Sequence, residues 1–276
     1  MIKKTNILGT ILVFALCMIA ISGEAQNAAR DYYNQAVEKT DQHAYVEAEK
    51  LYNKAIELNP LFHEAWFSLG YNLQMLGRYT EAIEKYSQAI TLQPRDMYYL
   101  QRADAYMKLG KDVLAVWDCN LALEMNPDYI EAYYKRAMLM GSMRKTKEAI
   151  ADYSRVLQMG WSDDKLYFEI GWLFETLNMA DSAVRYYEMS IARVPSEKYA
   201  YIRMAETLEK TGNFERAFQT YNDAIEAFPD YGYAYYLRGY LLFSRLNKKE
   251  EGCKDLAKAL SLGCQEAERA INNICR

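Results

Sequence analysis

The chain has 276 residues, of which 51% are hydrophobic and 25% charged, with a net charge of −4. That is enough apolar material for a large core, and because Lys and Arg alternate with Asp and Glu through almost every predicted helix there is no basic stripe for a nucleic-acid backbone. Only two histidines are present, with no GxSxG, GxxxxGK[ST], HExxH or GxGxxG, so triad, phosphate-loop, zinc and dinucleotide chemistry have no residues to carry them, and a non-enzymatic chain with no cofactor and no metal is expected.

Residues 1–25 join Lys3 and Lys4 to an apolar run from Ile7 to Ile21 and end in Gly23-Glu24-Ala25. A basic start, a short apolar stretch and a small-residue end are the composition of a secretory signal peptide, with the cut expected between Ala25 and Gln26. The rival is an uncleaved anchor, which the run disfavours because a spanning helix needs about 20 apolar residues. Cys17 follows Leu16, where a lipid-anchoring cysteine wants a small predecessor. The expectation is an exported chain, periplasmic or extracellular, with residues 26–276 forming one repeat domain that has no stable membrane span.

From Ala29 one pattern returns seven times, over 29–62, 63–95, 96–129, 130–163, 164–197, 198–231 and 232–264. In the second copy Trp66, Leu69, Gly70 and Leu73 fall on one face of a first helix. Ala82, Tyr86 and Ala89 do so on a second, and Gly77 separates the two. Position 8 is always small: Ala36, Gly70, Ala103, Ala137, Gly171, Ala205 and Gly239. Position 20 is Ala48, Ala82, Ala115, Ala149, Ala183, Ala217 and, after a one-residue slip, Gly252. Position 24 holds Tyr52, Tyr86, Cys119, Tyr153, Tyr187, Tyr221 and Leu256, which except at Cys119 are large enough to fill the space beside the small residues.

All five prolines, Pro60, Pro94, Pro127, Pro195 and Pro229, sit at position 32, where a missing N–H and a fixed φ end a helix. Asp128, Ser196 and Asp230 follow directly and are expected to cap the next helix. Position 15 is Gly77, Gly110, Gly212, Asn178 or Asn247, all tolerant of left-handed backbone, while His43 and Arg144 depart from that rule. The fourth copy carries Trp161 in place of proline, and Asp163 and Asp164 after it read as helix-start residues.

Beyond Gly263, Ala267, Ile271 and Ile274 share one face of a short helix at 265–275, which would cover the apolar side of the last copy. If that cap folds back antiparallel on the helix before it, Cys253 and Cys275 come level on facing sides and form a disulfide; the alternative is buried free thiols. Cys119 occupies a core position and is expected to be unpaired.

An aromatic at 4, Leu at 7, a small residue at 8, an aromatic or aliphatic at 11, Ala at 20, an aromatic at 24, Ala at 27 and Pro at 32 make a pattern that resembles the tetratricopeptide repeat. The resemblance implies an all-α fold, a right-handed superhelical solenoid of seven helix hairpins with a C-terminal capping helix. It also implies a protein or peptide partner held in a concave groove lined by positions 2, 5, 9 and 12 of the first helices. Positions 5 and 9 include Tyr33, Phe67, Tyr71, Leu100, Tyr134, Met138, Phe168, Trp172, Ile202, Tyr236 and Tyr240, and positions 2 and 12 add Met97, Met107, Tyr199, Tyr233 and Phe243. An apolar, aromatic groove suggests a contact surface, the alternative being that successive helices bury these residues against one another.

The family's clamp on a chaperone C-terminal carboxylate wants Lys at 5 and Asn at 9, and no copy supplies that pair; the first has Tyr33 and Val37. The expected role is an exported scaffold or adaptor in the assembly or maintenance of a cell-envelope complex. Aromatic rows could instead stack sugar rings, making a carbohydrate-binding module, or the chain could be a structural subunit of a secretion or envelope machine acting through its convex face.

Overall fold

A computed structural model describes residues 23–161 and 165–275. Most of the expected leader, with Cys17, lies outside the described residues, as do Asp163 and Asp164; Gly23, Glu24 and Ala25 open the first helix. Among the described residues the chain is all-α, with fifteen helices and no strand. In order these are α1 (Gly23–Asp41), α2 (Tyr45–Leu58), α3 (His63–Met75), α4 (Tyr79–Leu92), α5 (Asp96–Lys108), α6 (Asp112–Met125), α7 (Ile130–Ser142) and α8 (Thr146–Gln158), followed by α9 (Leu166–Thr176), α10 (Ala180–Arg193), α11 (Lys198–Lys210), α12 (Phe214–Ala227), α13 (Gly232–Ser244), α14 (Lys249–Ser261) and α15 (Glu266–Ile274).

The helices divide into two compact units, Met1–Leu139 and Met140–Arg276. In the first, α1 pairs with α2, α3 with α4 and α5 with α6, and α2 also rests on α3 and α4 on α5. In the second, α9 pairs with α10, α11 with α12 and α13 with α14, while α10 rests on α11, α12 on α13, and α15 closes over α14.

Except in the third hairpin, where position 24 is Cys119, the seam follows from the small residue at position 8 and the large one at position 24. Tyr86 is fully buried, and a Cβ on Gly70 would stand 2.7 Å from its ring. Gly171 and Tyr187 repeat that fit at 2.8 Å. In the last hairpin, where Leu256 replaces tyrosine, the helices approach backbone to backbone, so a Cβ on Gly252 would meet the Gly239 carbonyl oxygen at 2.6 Å.

Each described hairpin turn places position 15 in left-handed backbone, from φ 54° at Asn247 to 79° at Gly212. His43 at 58° and Arg144 at 59° depart in residue type only, for they take the same conformation at a cost of about 1–2 kcal/mol each. The hydrogen bonds that close the turn hold Arg144 there: its N–H reaches the Gly141 carbonyl at 3.0 Å, and the Lys145 N–H reaches that of Met140 at 2.8 Å.

Asn59, Gln93, Asn126, Val194 and Phe228 precede the prolines and end their helices with ψ between 75 and 98°, the extended backbone that proline imposes on its predecessor. Where Trp161 stands in place of proline, Gly160 at φ 82° stops α8, and the Trp161 N–H bonds back to Val156 at 3.2 Å. Two of the three expected caps are displaced by one residue. Ser196 and Asp230 stand outside the cap positions, because the turn after proline is longer than a direct cap needs. Glu197 is the N-cap of α11, its Oε1 accepting from the Tyr199 N–H at 3.2 Å, and Tyr231 occupies that place in α13.

Candidate partner-binding face

Positions 5 and 9 lie one helical turn apart, yet the fold uses them differently. Position 5 packs inward, within its own hairpin or against the next. In the first unit, Tyr33 packs 5.9 Å from Tyr52 and 5.0 Å from Phe62, and Phe67 stacks on Tyr98 at 4.4 Å, all between ring centroids. Leu100 is 0% exposed. In the second, Phe168 sits 5.7 Å from Tyr187 and Tyr236 5.8 Å from Tyr233, while Ile202 is buried in the core. Leu100 and Ile202 therefore offer nothing to a partner, which corrects their assignment to the groove. Tyr134 is half-buried.

Position 9 faces outward. In the first unit Tyr71 is 39% and Met138 44% exposed; in the second Trp172 is 41% and Tyr240 48% exposed. Asp104 and Glu206 take the same place in the hairpins between them. From position 2, Met97 and Tyr199 are also exposed, as is Phe243 from position 12.

Position 12 has a second duty that the sequence reading missed. In four hairpins its side chain accepts from, or shares a bond with, the hydroxyl of the position 24 tyrosine: Thr40 with Tyr52 at 3.1 Å, Gln74 with Tyr86 at 3.1 Å, Glu175 with Tyr187 at 2.9 Å and Glu209 with Tyr221 at 2.6 Å. Where position 24 is apolar, position 12 is too, as in Met107 with Cys119 and Phe243 with Leu256. A buried hydroxyl needs a partner and a thiol or leucine does not, so the pairing was there to be read in six of the seven copies; the fourth departs from it, with Gly141 and Tyr153 at these positions.

Position 7 also departs from the template, carrying arginine where leucine is usual. Arg102 clasps Asp118 through two bonds of 2.8 and 2.7 Å and donates to Ser87 of the preceding hairpin at 2.9 Å. Arg238 repeats this with Asp255 at 2.7 and 2.8 Å and Asn222 at 2.7 Å, and Arg136 donates to Asn120 at 2.7 Å. Burial works against the Arg102 charge, but the Asp118 carboxylate outweighs it and leaves the guanidinium above its ordinary value. These arginines join neighbouring hairpins from within and are not available to a partner.

Charge on the outward face is mostly neutralised between hairpins. Lys135 reaches Asp104 at 2.7 Å in the first unit; in the second, Arg203 and Lys210 converge on Glu175 at 2.8 and 2.7 Å. Beside that network lies a cavity of about 340 Å³, and a second of about 590 Å³ opens between α13 and α15, with Tyr236, Tyr240 and Phe243 on one wall and Glu266, Arg269 and Asn273 on the other. The wall formed by α15 is tied down by a disulfide between Cys253 and Cys275, whose Cα atoms are 5.7 Å apart. Cys119 and Cys264 are buried free thiols, and burial pushes Cys119 up to about 12. No described helix is long and apolar enough to cross a membrane.

Family models described as tetratricopeptide repeat match residues 63–96, 131–159 and 202–271. Human RNA polymerase II-associated protein 3 is 38% identical over 84 residues, 30% of this chain and 13% of that protein. A human mitochondrial import receptor subunit is 34% identical over 86 residues, 29% of this chain and 14% of that one. The chain thus spans only 13 to 14% of the length of these curated relatives.

Among solved structures, a tetratricopeptide repeat protein from Parabacteroides merdae is 22% identical with a TM-score of 0.61, covering 90% of this chain and 97% of its own. The C-terminal part of a repeat-containing protein from Cytophaga hutchinsonii, 14% identical, gives 0.75 over 86% and 98%. YrrB, described as a repeat protein with an unusual peptide-binding site, is 19% identical with a TM-score of 0.58 over 69% and 99%. At these identities the likeness is one of fold.

Proposed function

Because the chain carries tetratricopeptide repeats, we propose that it is a non-enzymatic scaffold or adaptor. On this reading it holds a protein or peptide segment against its first helices and serves, as an exported protein, in assembling or maintaining a cell-envelope complex. The observation that carries the reading is the outward row at position 9, Tyr71 and Met138 in one unit and Trp172 and Tyr240 in the other. Large rings held on packed helices give wide contact area at little ordering cost, and such rings are where binding energy concentrates. Export is supported by the composition of residues 1–25 alone.

Capture of envelope proteins on the immobilised chain, run beside a glycan panel, tests both parts. Tyr71→Ala and Trp172→Ala are each expected to weaken protein capture at least about tenfold, the loss of one well-packed aromatic anchor. Capture that survives both changes removes the aromatic face from the account, and glycans captured in place of protein replace it with the carbohydrate reading. Mature protein isolated from its native cell is expected to begin at Gln26.

A further inference from the structure

Glu175 and Glu209 occupy position 12 of successive hairpins and make the same bond to the tyrosine at position 24. Their other surroundings differ. Glu175 receives two cations, Arg203 from position 6 of the next hairpin and Lys210 from position 13. The hairpin after Glu209 offers Leu237 and Ser244 at those two places. Among the described residues Glu209 therefore has no ion pair, and its Oε2 accepts no hydrogen bond.

Arg245 is near enough to draw the Glu209 carboxyl downward, but it lies over the Phe214 ring at 5.5 Å, and burial wins, holding that carboxyl above its usual range. Lys210 and Arg203 stand nearby with their charges already engaged by Glu175, and Arg203 also by Glu206 at 3.0 Å.

The cation that the preceding hairpin builds in is missing here, and the place is open: the cavity of about 340 Å³ is bounded by Glu206, Glu209, Leu237 and the exposed ring of Tyr240, with Arg203 and Lys210, both engaged by Glu175, completing its lining. A carboxylate beside an aromatic face is the setting that holds an ammonium or guanidinium.

Building on the peptide-binding reading above, we propose that this cavity takes a Lys or Arg side chain of the bound peptide, its charge resting between the free oxygen of Glu209 and the face of Tyr240. The neighbouring cavity of about 590 Å³, which shares Tyr240 and adds Tyr236 and Phe243, seats an apolar side chain beside it. The site thus selects a basic residue adjacent to an apolar one.

The test is selection of a random peptide display library on the full chain, followed by titration of one recovered peptide. Recovered sequences are expected to be enriched in Lys or Arg next to an apolar residue, and the chosen peptide to bind more weakly as salt rises. Glu209→Gln, which keeps an acceptor for the Tyr221 hydroxyl, is expected to weaken that peptide about tenfold, the worth of one charge-assisted bond. Leu237→Arg, which supplies the cation from within as Arg203 does for Glu175, is expected to weaken it comparably while leaving an alanine-substituted version of the peptide unaffected.

Sequences without a basic residue, binding indifferent to Glu209→Gln, or no recovered peptide would each overturn the inference. Uncharged peptides that are weakened by Tyr240→Ala would leave the broader peptide reading standing. Peptides indifferent to both Tyr240→Ala and Trp172→Ala would remove the two together.

Discussion

Replacing Arg102 by leucine puts the arginine clamps to a quantitative test. Asp118 is 1% exposed and would lose bonds of 2.8 and 2.7 Å while keeping its charge. Stripping one partner from a buried ion pair costs about 3–5 kcal/mol, and because the Arg102 side chain is itself 16% exposed, water reaches the vacated space and the lower end, about 3 kcal/mol, applies. The double replacement Arg102→Leu with Asp118→Leu removes the stranded charge as well. Other hairpins already use Leu69, Ile170 and Met204 at position 7, so the double variant is expected within about 1 kcal/mol of the parent. Stacked hairpins open locally, so the readout is amide hydrogen exchange along α5 and α6 and not a single melting point. If the single and double variants lose equal protection, or the single loses none, the clamp is not what joins these helices.

Three further outcomes are expected. Arg144→Gly relieves left-handed strain at the α7–α8 turn and should stabilise the second unit by about 0.5–1 kcal/mol in chemical denaturation, the gain being trimmed by the freedom glycine adds to the unfolded chain. Cys253→Ser with Cys275→Ser opens a loop of sequence separation 22 and should cost about 3 kcal/mol, seen as early proteolysis of α15 under conditions where the rest of the second unit resists. Burial, helped by the Glu206 charge, raises the Glu209 carboxyl, so its contribution to stability is present at low pH and lost as pH climbs through the folded-state value. Glu209→Gln should therefore melt above the parent near about pH 7, with the gap closing toward about pH 4; a gap that widens on acidification would reverse the sign of the argument.

The all-α fold was legible because its stops are backbone chemistry. Proline dictates the conformation of Asn59 or Val194 whatever surrounds it, and glycine admits left-handed turns without cost, so both act locally. His43 and Arg144 show the reverse case, where turn hydrogen bonds impose a conformation that the side chain disfavours. Burial was legible only by rank. Spacing puts Leu100 and Tyr71 on one broad face, and it takes the next hairpin to decide which is covered. The arginine clamps were missed because position 7 was read as a leucine site; three arginines there, Arg102, Arg136 and Arg238, with Asp118, Asp152 and Asp255 sixteen or seventeen residues on, were the available signal. The unpaired Glu209 could be found only once Glu175 was seen with its two cations.

The arginine at position 7 also bears on how freely copies of the array could be exchanged. A copy bearing Arg102 or Arg238 carries its own carboxylate and asks of its predecessor only an acceptor at the place of Ser87 or Asn222. Each of the first six copies supplies one there, as Asn53, Ser87, Asn120, Ser154, Glu188 or Asn222, so reordering them would leave every such guanidinium an oxygen to meet, whereas a spliced module with an apolar residue at that place would not.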